Sequence, residues 1–229
     1  MKKLFTLAIV ALSLILTPAV PTQAKAVTYT REKHEKILDT ASRYSTVHFK
    51  VTTLVKQGKQ SKGMKVVADI SADTKTNLAK VKVVINGLAN TKTEYVYDLN
   101  DDSIHMISGA PGSVYKENAI MQLAKNGIIK GATSRDVVEQ MLKEMEISIG
   151  IKGKAAGGKE TYGAKLSRKL GSHQSKVSVT CQIKKVKKGY LPVKTASKIS
   201  INMGGNESST LSQITFKAFN NERVSLPKN

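Results

Sequence analysis

Long segments of this chain alternate apolar and polar residues, and many of the polar positions are lysine. Val47, Phe49 and Val51 alternate with polar neighbours, and the same period of two returns in later segments. Side chains on a β-strand point alternately to its two faces, so the pattern predicts an antiparallel sheet with one apolar and one solvated face. The glycine-rich residues 153–158 are predicted as a turn. The predicted strands cover residues 46–57, 62–72, 76–88, 92–99, 102–108, 145–152, 161–169, 176–186, 190–203 and 211–219.

Three segments have helical spacing instead. Thr30 is a candidate N-cap for a first helix, which carries Ile37 and Leu38 on its apolar side. Two more helices are predicted over residues 114–126 and 133–145, between the early and the late strands. The sequence therefore predicts one broad sheet and only three short helices to cover its apolar face.

The first 26 residues have the pattern of a signal peptide. Lys2 and Lys3 precede an apolar run over residues 4–16, and Ala24-Lys25-Ala26 fits the cleavage pattern of small residues. The apolar run is short for a helix that spans a bilayer. We expect cleavage after Ala26, with cleavage after Ala24 as the alternative, and a single domain over residues 27–229. The mature protein is expected in the periplasm, in the cell envelope or outside the cell.

The chain is strongly basic. It has 37 lysine and arginine residues against 17 acidic ones, for a formal net charge of +20, and loss of three lysines with residues 1–26 leaves +17. Lysine predominates and tryptophan is absent, whereas nucleic-acid readers rely on arginine and aromatic residues, so we expect no nucleic-acid partner. Transient contact with anionic membranes or anionic cell-envelope polymers is expected instead. The lysines expected to make this contact are Lys50, Lys65, Lys80, Lys82 and Lys184.

Motifs for catalysis, metal binding or cofactor binding are not found in the sequence. The single cysteine, Cys181, lies in the apolar phase of its segment and is predicted to be buried and unreactive. The four histidines lack the spacing of metal ligands, and no serine lies in a Gly-x-Ser-x-Gly setting. The sequence therefore predicts a monomeric binding protein without catalytic residues, metal ligands or a cofactor.

Several short motifs resemble the lipoprotein-carrier superfamily, which comprises periplasmic lipoprotein carriers, outer-membrane lipoprotein receptors and mycobacterial lipid-binding lipoproteins. The motifs are residues 37–44 before the first strand, Gly63, Tyr95-Val96-Tyr97-Asp98, residues 161–166, residues 188–194, residues 214–221 and residues 224–227. The resemblance implies an α+β fold: an incomplete, half-open antiparallel β-barrel with helices lidding its concave apolar face. The lipidated cysteine of the receptor and mycobacterial members is missing here, which favours an unanchored protein.

A broad one-sided sheet with a thin helical cover also favours an apolar cavity on physical grounds alone. We therefore expect an exported soluble carrier that binds lipid or the acyl chains of lipoproteins. Two alternatives remain: the helices fill the interior as an ordinary core, or the lysine-rich face binds anionic polymers or membranes without any ligand cavity. The residues predicted to line the cavity are Phe49, Val51, Val66, Val83, Tyr95, Tyr97, Met106, Ile120, Leu123, Val138, Met141 and Leu142.

Overall fold

Twelve antiparallel strands form one sheet in the part of the chain that the structure describes. This structure is a computed structural model, and it describes residues 25–58, 63–86, 91–108, 114–116, 135–136, 138–139, 142, 149–171 and 173–227. The strands are β1 (Lys25–Thr28), β2 (Thr46–Gln57), β3 (Met64–Asp73), β4 (Leu78–Asn86), β5 (Thr91–Asp98), β6 (Ser103–Ser108), β7 (Val114–Lys116), β8 (Lys152–Ala156), β9 (Lys159–Leu170), β10 (His173–Val186), β11 (Gly189–Met203) and β12 (Asn206–Asn220). Their order across the sheet is β1-β8-β9-β10-β11-β12-β2-β3-β4-β5-β6-β7.

Two runs of neighbouring strands meet in the middle of this sheet. Strands β2 to β7 follow one another towards one edge, and strands β8 to β12 run from near the other edge towards the centre. The two runs join where β12 pairs with β2, which places Ile214 opposite Val51 and Phe216 opposite Phe49. Strands β1 and β7 are the two edges, so the sheet is open.

The helix α1 (Arg31–Ala41) begins where the sequence predicts. The Thr30 side chain accepts a hydrogen bond from the Lys33 amide at 3.1 Å, which satisfies one of the amide groups left open in the first turn. Ile37 and Leu38 are buried, and the helix packs mainly against β11. The apolar side predicted for this helix is therefore the side that covers the sheet.

Helical residues also occur inside the segment predicted as the third helix, over residues 133–145. The described helical residues of this segment are Arg135, Asp136, Val138, Glu139 and Leu142. Val138 and Leu142 are completely buried. The helix predicted over 114–126 is wrong at its start, because residues 114–116 form the edge strand β7, which pairs with β6. Residues 117–126 lie outside the described residues.

The strand predicted over 145–152 and the turn predicted over 153–158 are only partly correct. Residues 145–148 lie outside the described residues, and residues 149–150 form a turn. Lys152–Ala156 forms β8, so the predicted turn is confined to Gly157 and Gly158. Gly153 lies inside this strand, where a Cβ atom would be 2.4 Å from the Thr161 carbonyl oxygen and 2.5 Å from the Tyr162 ring. Glycine is needed here for a close approach between two strands, which the sequence pattern alone does not distinguish from a turn.

The main core lies on one face of the sheet, beneath α1, and a smaller buried cluster of Leu78, Val96 and Val224 lies on the other face. The largest buried side chains of the main core include Tyr29, Phe49, Ile70 and Tyr162. Cys181 belongs to this core and is 1% exposed, which confirms the prediction of a buried thiol. Burial raises the pKa of this thiol to about 12. At neutral pH the group is therefore a protonated, apolar core side chain.

The predicted fold class is only partly correct. The antiparallel sheet and its open edges agree with the prediction, but the described residues are dominated by strands, with α1 as the only helix described in full. The chain is therefore a sheet-dominated protein and not clearly an α+β one. The reason is that strands β9 to β12 are long and consecutive, with 12 to 15 residues each, while the described helices contribute little length.

Candidate functional site

The register of the sheet places the seven strand residues predicted to bind ligand on one face. Directly opposite residues of neighbouring antiparallel strands point to the same face. The rows of opposite residues that contain them are Phe49 with Ile70, Val81, Tyr95 and Met106; Val51 with Ala68 and Val83; Thr53 with Val66; and Val47 with Ala72, Ala79 and Tyr97. We call this face the apolar face and the opposite face, which carries Lys50, the outer face.

The half of the apolar face next to α1 is closed. Four predicted site residues lie there, each 7% exposed or less: Phe49, Tyr95, Tyr97 and Met106. They belong to the same buried cluster as Val138 and Leu142 from the helical segment. Burial, with a smaller electrostatic contribution from Tyr97, raises the pKa of Tyr95 to about 12. In this structure these six side chains act as core residues, and their contact with a ligand stays a prediction.

The other half of the apolar face is open. Val51, Val66 and Val83 are half-buried on this face. Beyond them lie five large apolar side chains that are between 40% and 64% exposed: Met64, Leu166, Ile199, Ile201 and Met203. Three of the five belong to one row of directly opposite residues across six strands, which we call the open apolar row. The open apolar row consists of Leu166, Val177, Ile199, Thr210, Val55 and Met64.

The open apolar row was not among the residues that the sequence predicts to line the site. Its signal was present, because Val177 and Ile199 lie at the apolar phase of two correctly predicted strands. Alternation shows which residues of a strand share a face, but it does not show which part of that face a helix covers. The remaining predicted lining residues, Ile120, Leu123 and Met141, lie outside the described residues.

A polar cluster holds α1 over the strands of the closed half. The Lys33 ammonium donates to Glu160 at 2.7 Å, to the Tyr162 hydroxyl at 2.8 Å and to the Thr28 carbonyl at 3.2 Å. The Tyr162 hydroxyl also donates to Glu160, and burial followed by this hydrogen bond raises the pKa of Tyr162. The Lys33 ammonium also lies 5.5 Å from the centre of the Tyr190 ring. The cluster thereby links α1 to β1, β9 and β11.

A second polar link joins α1 to the helical segment. The Arg135 guanidinium contacts Glu35 at 2.5 Å and Asp39 at 2.5 Å through different nitrogens. The hydrogen bond from Arg135 lowers the pKa of Glu35 and correspondingly raises that of Arg135. The two polar links hold α1 and the helical segment over the closed half of the apolar face.

The carboxy-terminal tail crosses the outer face. The Val224 amide donates to Asp73 at 3.1 Å, and the Ser45 amide donates to Asn221 at 2.9 Å. His48 lies beneath the tail, with its Nδ1 atom 2.6 Å from the Ser71 hydroxyl and its Nε2 atom 3.8 Å from Glu222. The second distance is longer than a hydrogen bond, so this group is not a connected serine–histidine–glutamate triad.

Two further observations on the described residues concern metal ions and membranes. Across the described ranges, no group of histidine, cysteine, aspartate and glutamate side chains is arranged to hold a metal ion. Within the same part of the chain, no helix has both the length and the apolar character needed to span a membrane.

Comparison with known proteins gives only distant structural matches. No protein-family model and no curated protein matches the chain. A structure of lipid–protein interactions in lipovitellin matches 81% of this chain at 8% identity with a TM-score of 0.40, and the chain spans only 26% of lipovitellin. The lipoprotein LppX of Mycobacterium tuberculosis matches 86% of this chain and 97% of its own at 14% identity, with a TM-score of 0.41. LprF of Mycobacterium bovis matches 88% of this chain and 99% of its own length at 12% identity, with a TM-score of 0.43. Similarity at this level defines neither a family nor a function.

Proposed function

We propose that this protein binds the acyl chains of lipids or lipoproteins on its apolar face, as an exported carrier and not as an enzyme. The observation that carries the proposal is the open apolar row. Its exposed members Leu166, Ile199 and Met64 lie on the same face as the core, so the apolar surface runs on from the closed half into solvent. Contiguous apolar surface that faces water on a soluble domain is typical of a binding site.

The shape of this surface favours a chain-like ligand. Six neighbouring strands about 4.8 Å apart give the row a length of about 24 Å. One leaflet of a bilayer has a hydrocarbon thickness of about 15 Å, so the row is long enough for an acyl chain. The row has Met64 at one end and Leu166 at the other. Methionine is flexible and repacks readily around ligands of different shape.

The energetics of such binding are favourable. Each methylene removed from water contributes about 0.8 kcal/mol, so burial of about ten methylenes contributes about 8 kcal/mol. The lower estimates for the free-energy cost of association are about 4 kcal/mol. The difference is enough for reversible binding, which suits a carrier that must release its ligand.

The rest of the proposal follows from the sequence. The signal-peptide pattern over residues 1–26 supports export to the periplasm, the cell envelope or the medium. The resemblance to lipoprotein carriers noted in the sequence supports lipid or lipoprotein acyl chains as the ligand class. We further propose that the protein acts as a monomer, with a half-open barrel in which helices cover part of the apolar face.

Titration with a fluorescent fatty acid tests the proposal. We expect the purified protein to bind the probe saturably, and the double variant Leu166→Ser, Ile199→Ser to bind at least about tenfold more weakly, because two apolar contacts worth about 1.5–3 kcal/mol each when fully buried are lost. Leu226→Ser is the matched control, since Leu226 is 41% exposed and Ile199 is 42% exposed, but Leu226 lies in the tail on the outer face. Failure of the wild type to bind the probe saturably would contradict the proposal and favour a filled core. Equal weakening by the control would contradict binding at the open apolar row.

A further inference from the structure

The outer face of strands β9 to β11 carries lysines in a regular arrangement with hydroxyl groups. Lys165 on β9 and Lys198 on β11 lie opposite Ser178 on β10, so all three point to the outer face. In the next row the order is reversed, with Lys176 on β10 between Ser167 and Ser200. Lys194 lies further along β11, opposite Gln182. We call the surface around Lys165, Lys176, Lys194 and Lys198 the lysine groove.

The lysine groove is a depression in the outer face of the sheet. Two adjoining hollows of about 350 Å³ and 290 Å³ share Lys165, Ser178 and Lys198 in their lining. Small side chains form the floor of the larger hollow, including Gly163, Thr180 and Ala196. Long lysine side chains therefore stand around a floor that is low because its residues are small.

Within the described residues, the positive charge of the lysine groove is not balanced by neighbouring acids. On the outer face of β9 to β12, as far as the structure describes these strands, the acidic side chain is Glu207 at the start of β12. On β3 to β5 of the same face, Lys82 lies directly opposite both Asp69 and Glu94. Ion pairs form there too, at 3.1 Å between Lys80 and Glu94 and at 2.5 Å between Lys217 and Asp69. The ion pairs found in the described residues include none from the four groove lysines.

Uncompensated like charges on neighbouring strands repel one another and cost stability. They also produce a local positive potential that attracts anions. Lys165 and Lys198 are two strand spacings apart, about 10 Å between their Cα atoms, so the positive charge is spread along the groove. A chain with several phosphate groups can contact both, and each phosphate then has a lysine ammonium and a serine hydroxyl within the same groove.

We propose that the lysine groove binds a linear polymer of phosphate-linked polyol or sugar units. Lysine makes point-charge contacts that tolerate variable phosphate geometry, whereas base readers use arginine forks and aromatic stacking. The lining of the two hollows contains no aromatic residue, which disfavours a nucleic acid. Lys194 and Lys198 are half-buried in the groove, which favours a thin chain over a flat membrane surface. The site lies on the opposite face from the open apolar row and does not depend on lipid binding.

The groove lysines are different residues from the lysines that the sequence predicts to contact anionic membranes or polymers. Lys80 is paired with an acid and Lys82 lies between two, so their charge is locally compensated. Lys165, Lys176 and Lys198 were not selected, because the sequence does not reveal that three strands place them together. The register of β9, β10 and β11 is the information that was missing.

Binding of soluble inorganic polyphosphate, measured by calorimetry at low and high salt, tests the inference. Lys165→Gln, Lys176→Gln, Lys198→Gln removes three groove charges, and Lys36→Gln, Lys80→Gln, Lys217→Gln removes three charges that are paired with acids elsewhere. We expect salt-sensitive binding by the wild type, at least about tenfold weaker binding by the groove variant, and binding within about twofold of wild type by the control. Circular dichroism melts check that both triple variants are folded.

Equal weakening by the two triple variants would overturn the inference, because it would show that only net charge matters. Failure of the wild type to bind polyphosphate would overturn it as well. Binding to vesicles that contain anionic lipid is measured as well. Vesicle binding by the wild type that the groove variant loses, without any polyphosphate binding, would assign the surface to membranes and not to a polymer. Acyl-probe titration of the groove variant should be unchanged, which keeps this result separate from the lipid-binding proposal.

Discussion

Cys181 and Tyr95 illustrate how burial changes the chemistry of single residues in this fold. Both are nearly inaccessible, and burial raises the pKa of each to about 12, from 9.0 for the thiol and 10.0 for the phenol. Their neutral forms are therefore favoured in the folded state over the unfolded state. A group whose pKa is higher in the folded state stabilises the fold below its unfolded pKa and loses that contribution as the pH rises towards the folded value.

We accordingly predict that the contribution of these two groups to the free energy of unfolding is constant from neutral pH to about pH 9 and is then lost between about pH 9 and 12. Urea unfolding followed by circular dichroism at a series of pH values measures this. A thiol reagent added at pH 8 should leave Cys181 unmodified in the folded protein and modify it in urea. Rapid labelling of the folded protein would show that the thiol is accessible and the core is wrongly described.

Gly153 gives a second prediction at the residue scale. Gly153→Ala would place a Cβ atom 2.4 Å from the Thr161 carbonyl oxygen, and the strand would have to shift. We expect a loss of about 1–3 kcal/mol or more in the free energy of unfolding, as for other overpacked sites. Gly163→Ala is the control, because its Cβ would lie 3.4 Å from the nearest atom of Thr180. Equal effects of the two substitutions on the urea midpoint would contradict the close packing of β8 on β9.

These residues also show what the sequence reveals about single positions. The burial of Cys181 could be predicted, because strand alternation places it among Val179 and Ile183. The strand position of Gly153 could not, because a glycine required by a neighbouring ring has the same sequence signal as a glycine in a turn. The exposure of Ile199 could not be predicted either, because it depends on how far α1 reaches along β11.

At the scale of elements, the position of α1 depends on a salt bridge that is largely buried. The side chains of Lys33 and Glu160 are only 15% and 13% exposed. Removal of one partner leaves the other charge desolvated and unpaired, which typically costs about 3–5 kcal/mol. The exposed pair of Lys36 and Glu32 on the same helix has no such desolvation penalty.

We therefore predict that Lys33→Ala strongly destabilises the protein, whereas Lys36→Ala changes the urea midpoint little. The double variant Lys33→Met, Glu160→Gln should be more stable than Lys33→Ala, because no buried charge is left unpaired. Urea unfolding of all three variants makes the comparison. A Lys33→Ala midpoint as high as that of Lys36→Ala would show that the cluster does not hold α1 in place.

The prediction of elements succeeded where the period was clear and failed where glycine or short length obscured it. Alternation located β2 at residues 46–57, and the cap at Thr30 located α1. The edge strand β7 has only three residues, too few to establish a period of two. The first two residues of β1, Lys25 and Ala26, were assigned to the end of the signal segment, and cleavage after Ala24 would leave Lys25–Thr28 intact.

At the scale of the whole molecule, the two faces of the sheet have different properties. The apolar face is closed next to α1 and open along the row from Leu166 to Met64, and the outer face carries the lysine groove. The sequence predicted the two kinds of face but not the strand order. The pairing of β12 with β2 joins residues that are 151 to 174 positions apart, and no local turn signal indicates such a contact.

The absence of tryptophan from the chain allows the central claim to be tested at a single position. Ile199→Trp introduces one fluorophore on the open apolar row, and Leu226→Trp introduces one of similar exposure on the outer face. Titration with a fatty acid that carries a nitroxide quencher on its chain then reports contact with the acyl chain itself. We predict saturable quenching of the Ile199→Trp protein at concentrations that leave the Leu226→Trp protein unquenched. Equal quenching of the two proteins, or none in the first, would contradict acyl-chain binding on the apolar face.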